Sequence, residues 1–133
     1  MHEPVKTTSP ASVDMDFSTE IMFPPLRKFD VGDVIGMAGD RWFNRTLAQV
    51  NDCVLRVGVA EGQFYWHKHE QEDELFYVLQ GTLEIEVQGD ERVKLKPGQG
   101  FVVPKDTMHR TRAPERSAYL IIEGASVAPA GDS

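Results

Sequence analysis

Trp66 to Gly81 reads WHKHEQEDELFYVLQG, and this stretch decides the fold. His67 and His69 are two residues apart, Glu74 follows five residues later, and a glycine closes the run. Side chains at i and i+2 share a face only on an extended strand; on a helix they diverge. The flanks read as strand: FYWHKH is aromatic, and ELFYVLQ mixes aromatic and β-branched residues without proline. EQED between them is short and polar, as a hairpin loop is. The hairpin returns Glu74 beside the two imidazoles. The chain has four histidines; His2 lies in a polar N-terminal stretch, and His109 stands forty residues beyond His69. We therefore expect His67, His69, Glu74 and His109 to hold one metal ion inside a small β-barrel, with His109 arriving from another strand.

Three neutral imidazoles and one carboxylate suit Mn, Fe, Co, Ni, Cu or Zn rather than Ca or Mg. A six-coordinate ion keeps two positions open for water or substrate. Tetrahedral zinc could close its shell on the same four donors and serve structure alone. The plain alternative is three histidines without metal. It suits a lone histidine better than three with a matching glutamate. Glu72 and Asp73 compete with Glu74 as donors, but Glu74 has the spacing and opens the apolar strand.

From Thr46 onward, short strands alternate with turn signals. The pattern predicts strands at Thr46–Val50, Cys53–Ala60, Phe64–Lys68, Glu74–Gln80, Leu83–Gln88, Arg92–Lys96, Gly100–Val103, Thr107–Arg112 and Ala118–Glu123. Breaks fall at Asn51-Asp52, Gly62, Gly89-Asp90, Pro97-Gly98, Lys105-Asp106 and Ala113-Pro114. So many short strands indicate an all-β sandwich or barrel. Residues 1–20 read as a flexible arm, 21–124 as the domain and 125–133 as a fraying tail. Ile21 to Val34 reads as extended chain packing on the domain. GDRWFNRT (39–46) reads as a loop or a turn of helix, and no segment has a convincing helical period.

The 133 residues fit one domain with one core. A net charge of −7 argues against nucleic acid or an anionic membrane as partner. The single cysteine, Cys53, excludes an internal disulfide and fits a reducing compartment. No apolar run reaches membrane-spanning length, and no hydrophobic segment follows the first charges, so a cytoplasmic protein is expected.

ELFYVLQ is apolar on both faces: Phe76 and Val78 lie with Glu74, and Leu75, Tyr77 and Leu79 oppose them. Its outer face needs a cover, either the N-terminal segment or a second copy, and a homodimer is the expectation. Phe76, Val78 and Thr111 share faces with the proposed ligands and should line the cavity. Unbroken alternation puts Tyr65 with the histidines, and Phe64 and Trp66 opposite. Tyr65 is then a candidate proton donor, against the plainer reading of a core tyrosine. Arg56 sits inside the apolar run CVLRVGVA and must pair with a carboxylate or a ligand if buried. Arg110 and Arg112 fall opposite His109 and read as a solvated outer face. No nucleophile arrangement or phosphate loop stands out.

These residues resemble the two motifs of the cupin superfamily. Gly62 to Gly81 matches the first, a glycine followed by HxH, four residues, a glutamate, six residues and a glycine. Gly98 to His109 (GQGFVVPKDTMH) matches the second through Pro104 and His109. Gly62 stands one residue nearer to His67 than is usual, and Asp106 and Ala113 replace a common glycine and asparagine. None of the three is a ligand position. The chain looks like the small single-domain cupins labelled similar to mannose-6-phosphate isomerase. The resemblance implies a single-domain jelly-roll β-barrel (a double-stranded β-helix) of two antiparallel sheets. It implies a divalent metal on the four named residues and a metal-dependent isomerase, epimerase or lyase acting on a sugar or a hydroxy or keto acid. It admits a non-catalytic small-ligand sensor, or an iron-dependent dioxygenase, as alternatives, because fold does not determine activity.

Overall fold

A computed structural model describes residues 15–40, 42–89 and 92–126. It contains β1 (Met15–Ile21), α1 (Val31–Ile35), β2 (Trp42–Val50), β3 (Cys53–Gln63), β4 (Glu74–Gln80), β5 (Leu83–Val87), β6 (Arg92–Leu95), β7 (Gly100–Val103) and β8 (His109–Gly124). The strands form a jelly-roll β-barrel. One sheet runs β1-β2-β3-β8-β4-β7, and β6-β5 joins it along the first half of β8. The two sheets expected from the sequence are thus joined through β8. All pairs are antiparallel except β1 with β2, which is parallel.

Ala113-Pro114 does not end a strand. His109–Gly124 is continuous, and the ladder with β3 jumps from Ala60–Ser117 to Gly62–Ala113. Pro114 falls in that gap, where no ladder bond needs its missing N–H. The bulge lets β8 leave one sheet and enter the other. GDRWFNRT is neither loop nor helix: Trp42 onward is β2, whose Phe43, Leu47 and Asn44 are buried. The arm expected over 1–20 is shorter than drawn, since Met15–Ile21 pairs with β2 and Arg45 binds Asp16 at 2.9 Å. Residues 1–14 lie outside the described residues, as do 127–133 of the expected tail. Within the stretch read as extended, Val31–Ile35 forms a helical turn, because the Asp30 carboxylate caps the Asp33 N–H at 3.2 Å.

Two apolar clusters hold the molecule. Phe76, Val78, Leu83, Ile85, Leu95, Val103 and Tyr119 fill the barrel. Val34, Phe43, Leu47, Val57 and Val59 form the second, which Met22, Phe23, Phe29 and Ile35 cover. The N-terminal segment is therefore the outer cover over β2 and β3. On β4 the alternation is as read: Glu74, Phe76 and Val78 are buried, and Tyr77 is exposed. Asp106 adopts φ 59°, so an aspartate does serve the tight turn that carries the chain toward His109.

Candidate metal centre

His67 and His109 are brought together by backbone pairing. Each donates its N–H to the other's carbonyl at 2.9 Å, a two-residue bridge between the post-β3 segment and the start of β8. Just before it, the Phe64 N–H bonds the Thr111 carbonyl at 2.9 Å. Tyr65 and Trp66 on one side thus oppose Arg110 alone on the other, which is a bulge. The bulge breaks the expected alternation: Phe64 is buried and lies edge-on to His67, with ring centroids 5.4 Å apart. Trp66 is held outside, beneath the Arg110 guanidinium at 4.5 Å. Past the bridge, the Asp106 N–H anchors the His69 carbonyl at 2.7 Å. Glu74 opens β4, directly opposite Val103 on β7 and Glu123 on β8.

His67, His69, Glu74 and His109 are all buried, and one donor atom from each lies within 4.8 Å of the others. The imidazoles are oriented from behind. His67 Nδ1 lies 3.0 Å from the Tyr65 carbonyl, and His109 Nδ1 lies 2.9 Å from the Thr107 carbonyl. A carbonyl can only accept, so each Nδ1 carries the hydrogen and each Nε2 presents a lone pair. Glu74 Oε1 stands 3.2 Å from His69 Nε2 and 3.3 Å from His109 Nε2. None of these three atoms has a directed hydrogen bond.

For His109 and Glu74, two buried acceptors therefore face each other with nothing to share. A cation between them resolves that clash. Donors about 2.1 Å from a common ion are about 3.0 Å apart at right angles and about 3.4 Å apart tetrahedrally. The observed separations fall in that interval. Burial, reinforced by His109, pushes His67 down to about 4. Burial alone would raise Glu74, but His109 and His69 outweigh it and hold the carboxyl well below the usual range. Neutral imidazole and ionised carboxylate are the forms that bind metal.

A cavity of about 30 Å³ adjoins the donors, bounded by His67, Glu74, Phe64, Phe76, Thr111 and Tyr119 and closed from the N-terminal side by Phe17, Trp42 and Asn44. Of the residues expected to line it, Phe76 and Thr111 do. Val78 is packed in the barrel core instead. Tyr65 lies against Phe64, with centroids 4.3 Å apart, and is absent from the lining; burial raises its hydroxyl pKa. The tyrosine that reaches the cavity is Tyr119, raised by burial and by the Glu74 charge. Arg56 is fully buried but does not reach the cavity. It forms an ion pair with Glu123 and donates to Thr46 Oγ1 at 3.1 Å. Arg110 and Arg112 do lie outside, paired with Glu86 and Glu84 across β5.

Glu123 escaped the sequence reading. It is buried opposite Glu74, and burial, then the Glu74 charge, push it up to about 9 while Arg56 pulls it down. The signal was present in Arg56, whose place in an apolar run required a buried acid somewhere.

The model of the family described as "Cupin domain" matches residues 53–123. The uncharacterized protein YdbB of Bacillus subtilis is 40% identical over 60% of this chain and 71% of its own length. Among solved structures, a cupin-2 domain containing protein from Shewanella frigidimarina superposes with a TM-score of 0.68 and 33% identity, over 72% of this chain and 93% of that one. KdgF from Halomonas sp. superposes with a TM-score of 0.56 and 32% identity, over 62% and 78%.

Proposed function

This chain belongs to the cupin domain family, and from that premise we propose that it is a metal-dependent enzyme acting on a small polar metabolite. Its ligands are His67, His69, Glu74 and His109, and its ion is a divalent transition metal. The observation that carries this reading is the convergence of three unpartnered buried atoms, His69 Nε2, His109 Nε2 and Glu74 Oε1, beside a cavity. When bound, such an ion polarises a carbonyl or hydroxyl oxygen or lowers the pKa of a bound water. The chain's own share is to fix the imidazole tautomers through the Tyr65 and Thr107 carbonyls and to exclude bulk water with Phe64, Phe76 and Tyr119. Dickeya dadantii KdgF, 34% identical over 49% of its length, is a pectin degradation protein, which favours a carbohydrate-derived sugar or hydroxy or keto acid. Isomerase, epimerase and lyase chemistry all fit that class.

One observation favours non-catalytic binding instead: Tyr65, the proton donor expected from the sequence, is not in the cavity wall. Elemental analysis of protein purified without chelator or metal-binding tag tests the metal. One ion per chain, lost in His109→Ala, is expected; no ion in metal-replete cells refutes the reading. Oxygen uptake by iron-loaded protein with candidate acids separates a dioxygenase from the favoured classes.

We extend the proposal to a cytoplasmic homodimer. Leu55, Ile122, Leu75 and Val102 are paired in one row across β3, β8, β4 and β7, and Ile122 and Val102 are 42% and 50% exposed. A second copy covering this row would remove apolar surface from water. Sedimentation equilibrium reads the mass directly. No helix among the described residues is long and apolar enough to cross a membrane.

A further inference from the structure

The cavity holds one polar group that the metal reading leaves without a task. Asn44 on β2 is 5% exposed, and its Oδ1 is buried without a hydrogen-bond partner. It lines the cavity together with His67 and Glu74. An unpaired buried amide costs about 1–3 kcal/mol, which a partner inside the cavity removes.

Neighbouring residues hold the amide in place. Phe17, Asn44, Gly58 and Tyr119 are paired in one row across β1, β2, β3 and β8. A Cβ on Gly58 would come within 2.7 Å of the Tyr119 ring, so that ring lies over Gly58 on the side of β2. Asn44 is thus flanked by Phe17 and by the Tyr119 ring. An amide oxygen without a partner in an aromatic frame takes a neutral hydrogen-bond donor, and a hydroxyl is one.

The charge of the wall limits the rest of the ligand. Among the described residues, no lysine or arginine lines the cavity. Arg56, the buried cation nearest in the fold, is taken by Glu123. A phosphate would therefore enter with no cationic side chain to meet it, at a high desolvation cost. The volume admits two or three waters, which limits a ligand to about six heavy atoms.

We propose that the ligand is a small, non-phosphorylated hydroxy acid whose hydroxyl pairs with Asn44 while its carboxylate meets the four-donor centre. This rests on the metal reading above and names its substrate class. The test is calorimetry on the metal-loaded protein, its ion content first fixed by elemental analysis. Three probes are titrated: 3-hydroxypropionate, propionate and inorganic phosphate.

The wild type should bind 3-hydroxypropionate about tenfold more tightly than propionate, the equivalent of one well-made hydrogen bond. Phosphate should bind more weakly than either. Asn44→Leu, checked by thermal melting and metal content, should keep its ion and bring the two acids within about twofold, the ratio rather than either affinity being the readout. If that variant does not fold, Asn44→Ala serves, with the same ratio expected. Equal affinities in the wild type overturn the inference, as does tightest binding of phosphate or a preference that survives in the variant. In those cases the ion is still bound and the metal reading stands. A chain that takes up no ion overturns both.

Discussion

Replacing Arg56 alone should damage this protein far more than replacing Arg56 and Glu123 together. Arg56 and Glu123 are 1% and 2% exposed and ion-paired. Glu123 in turn lies directly opposite Glu74, itself 3% exposed, across the β4–β8 ladder. Arg56 is the only cation hydrogen-bonded to either carboxylate among the described residues.

Arg56→Met leaves the buried Glu123 carboxyl without its guanidinium, opposite the Glu74 carboxylate, and deprives Thr46 Oγ1 of its donor. Breaking a buried pair from one side costs about 3–5 kcal/mol. Against a typical stability of about 5–15 kcal/mol, that is about a fifth of the total or more. It should lower the melting temperature by roughly 10–20 °C for a domain of this size. The double change Arg56→Met/Glu123→Leu removes both charges and refills the space, so it should be within about 1 kcal/mol of wild type or more stable. Urea unfolding of the metal-free proteins measures the cycle. A single variant that loses less than about 1 kcal/mol, or a double variant as damaged as the single, refutes the pairing argument.

Further expectations concern the glycines and the ion. Gly81→Ala should cost at least about 2 kcal/mol in urea unfolding, because its φ is +78° and the new Cβ would stand 2.2 Å from Ser117 Oγ. Gly58→Ala should cost about 1–3 kcal/mol by overpacking against Tyr119 and should also weaken binding of 3-hydroxypropionate. His109→Ala should reduce metal affinity by more than the roughly 10–100-fold typical of residues that only orient a ligand, as read by competition with a chromogenic chelator. Ion removal should lower wild-type stability by about 2.7 kcal/mol relative to protein at a hundredfold excess over Kd, and should leave His109→Ala unmoved.

The features legible in the sequence were those set by local chemistry. EQED required a turn, and the alternation of ELFYVLQ gave the buried face of β4. The strand expected over Phe64–Lys68 is instead irregular chain carrying the isolated bridge His67–His109, which still brings both histidines into the donor cluster. The four donors meet because those local requirements, together with the family motifs, left few other arrangements. Regularity failed as a guide where the backbone departs from it. Unbroken alternation turns Tyr65 toward the cavity, whereas Phe64 is the one that lines it: alternation presumes a constant count of residues. The bulge between Phe64–Thr111 and His67–His109 adds one. The segment holding Trp42 and Asn44 reads ambiguously because its strand is stabilised by neighbours on β1 and β3, which a local window does not contain.

Glu123 shows the same limit at longer range, and shows how to pass it. It lies 67 residues from Arg56 and closes a strand that also delivers His109. Nothing within its own window separates it from the arginine-paired acids of β5. Pro114 hid the connection, since a proline between two apolar runs ordinarily divides two strands. Here it occupies the gap between the Ala60–Ser117 and Gly62–Ala113 pairs, so one strand crosses from sheet to sheet. That crossing brings His109 to face His67 at one end and Glu123 to face Glu74 at the other. An arginine buried in an apolar run requires a carboxylate within reach, and the partner must come from a strand adjacent to its own. Counting forward from His109 along an uninterrupted β8 limits the choice to Glu115 and Glu123, of which only Glu123 sits among apolar neighbours.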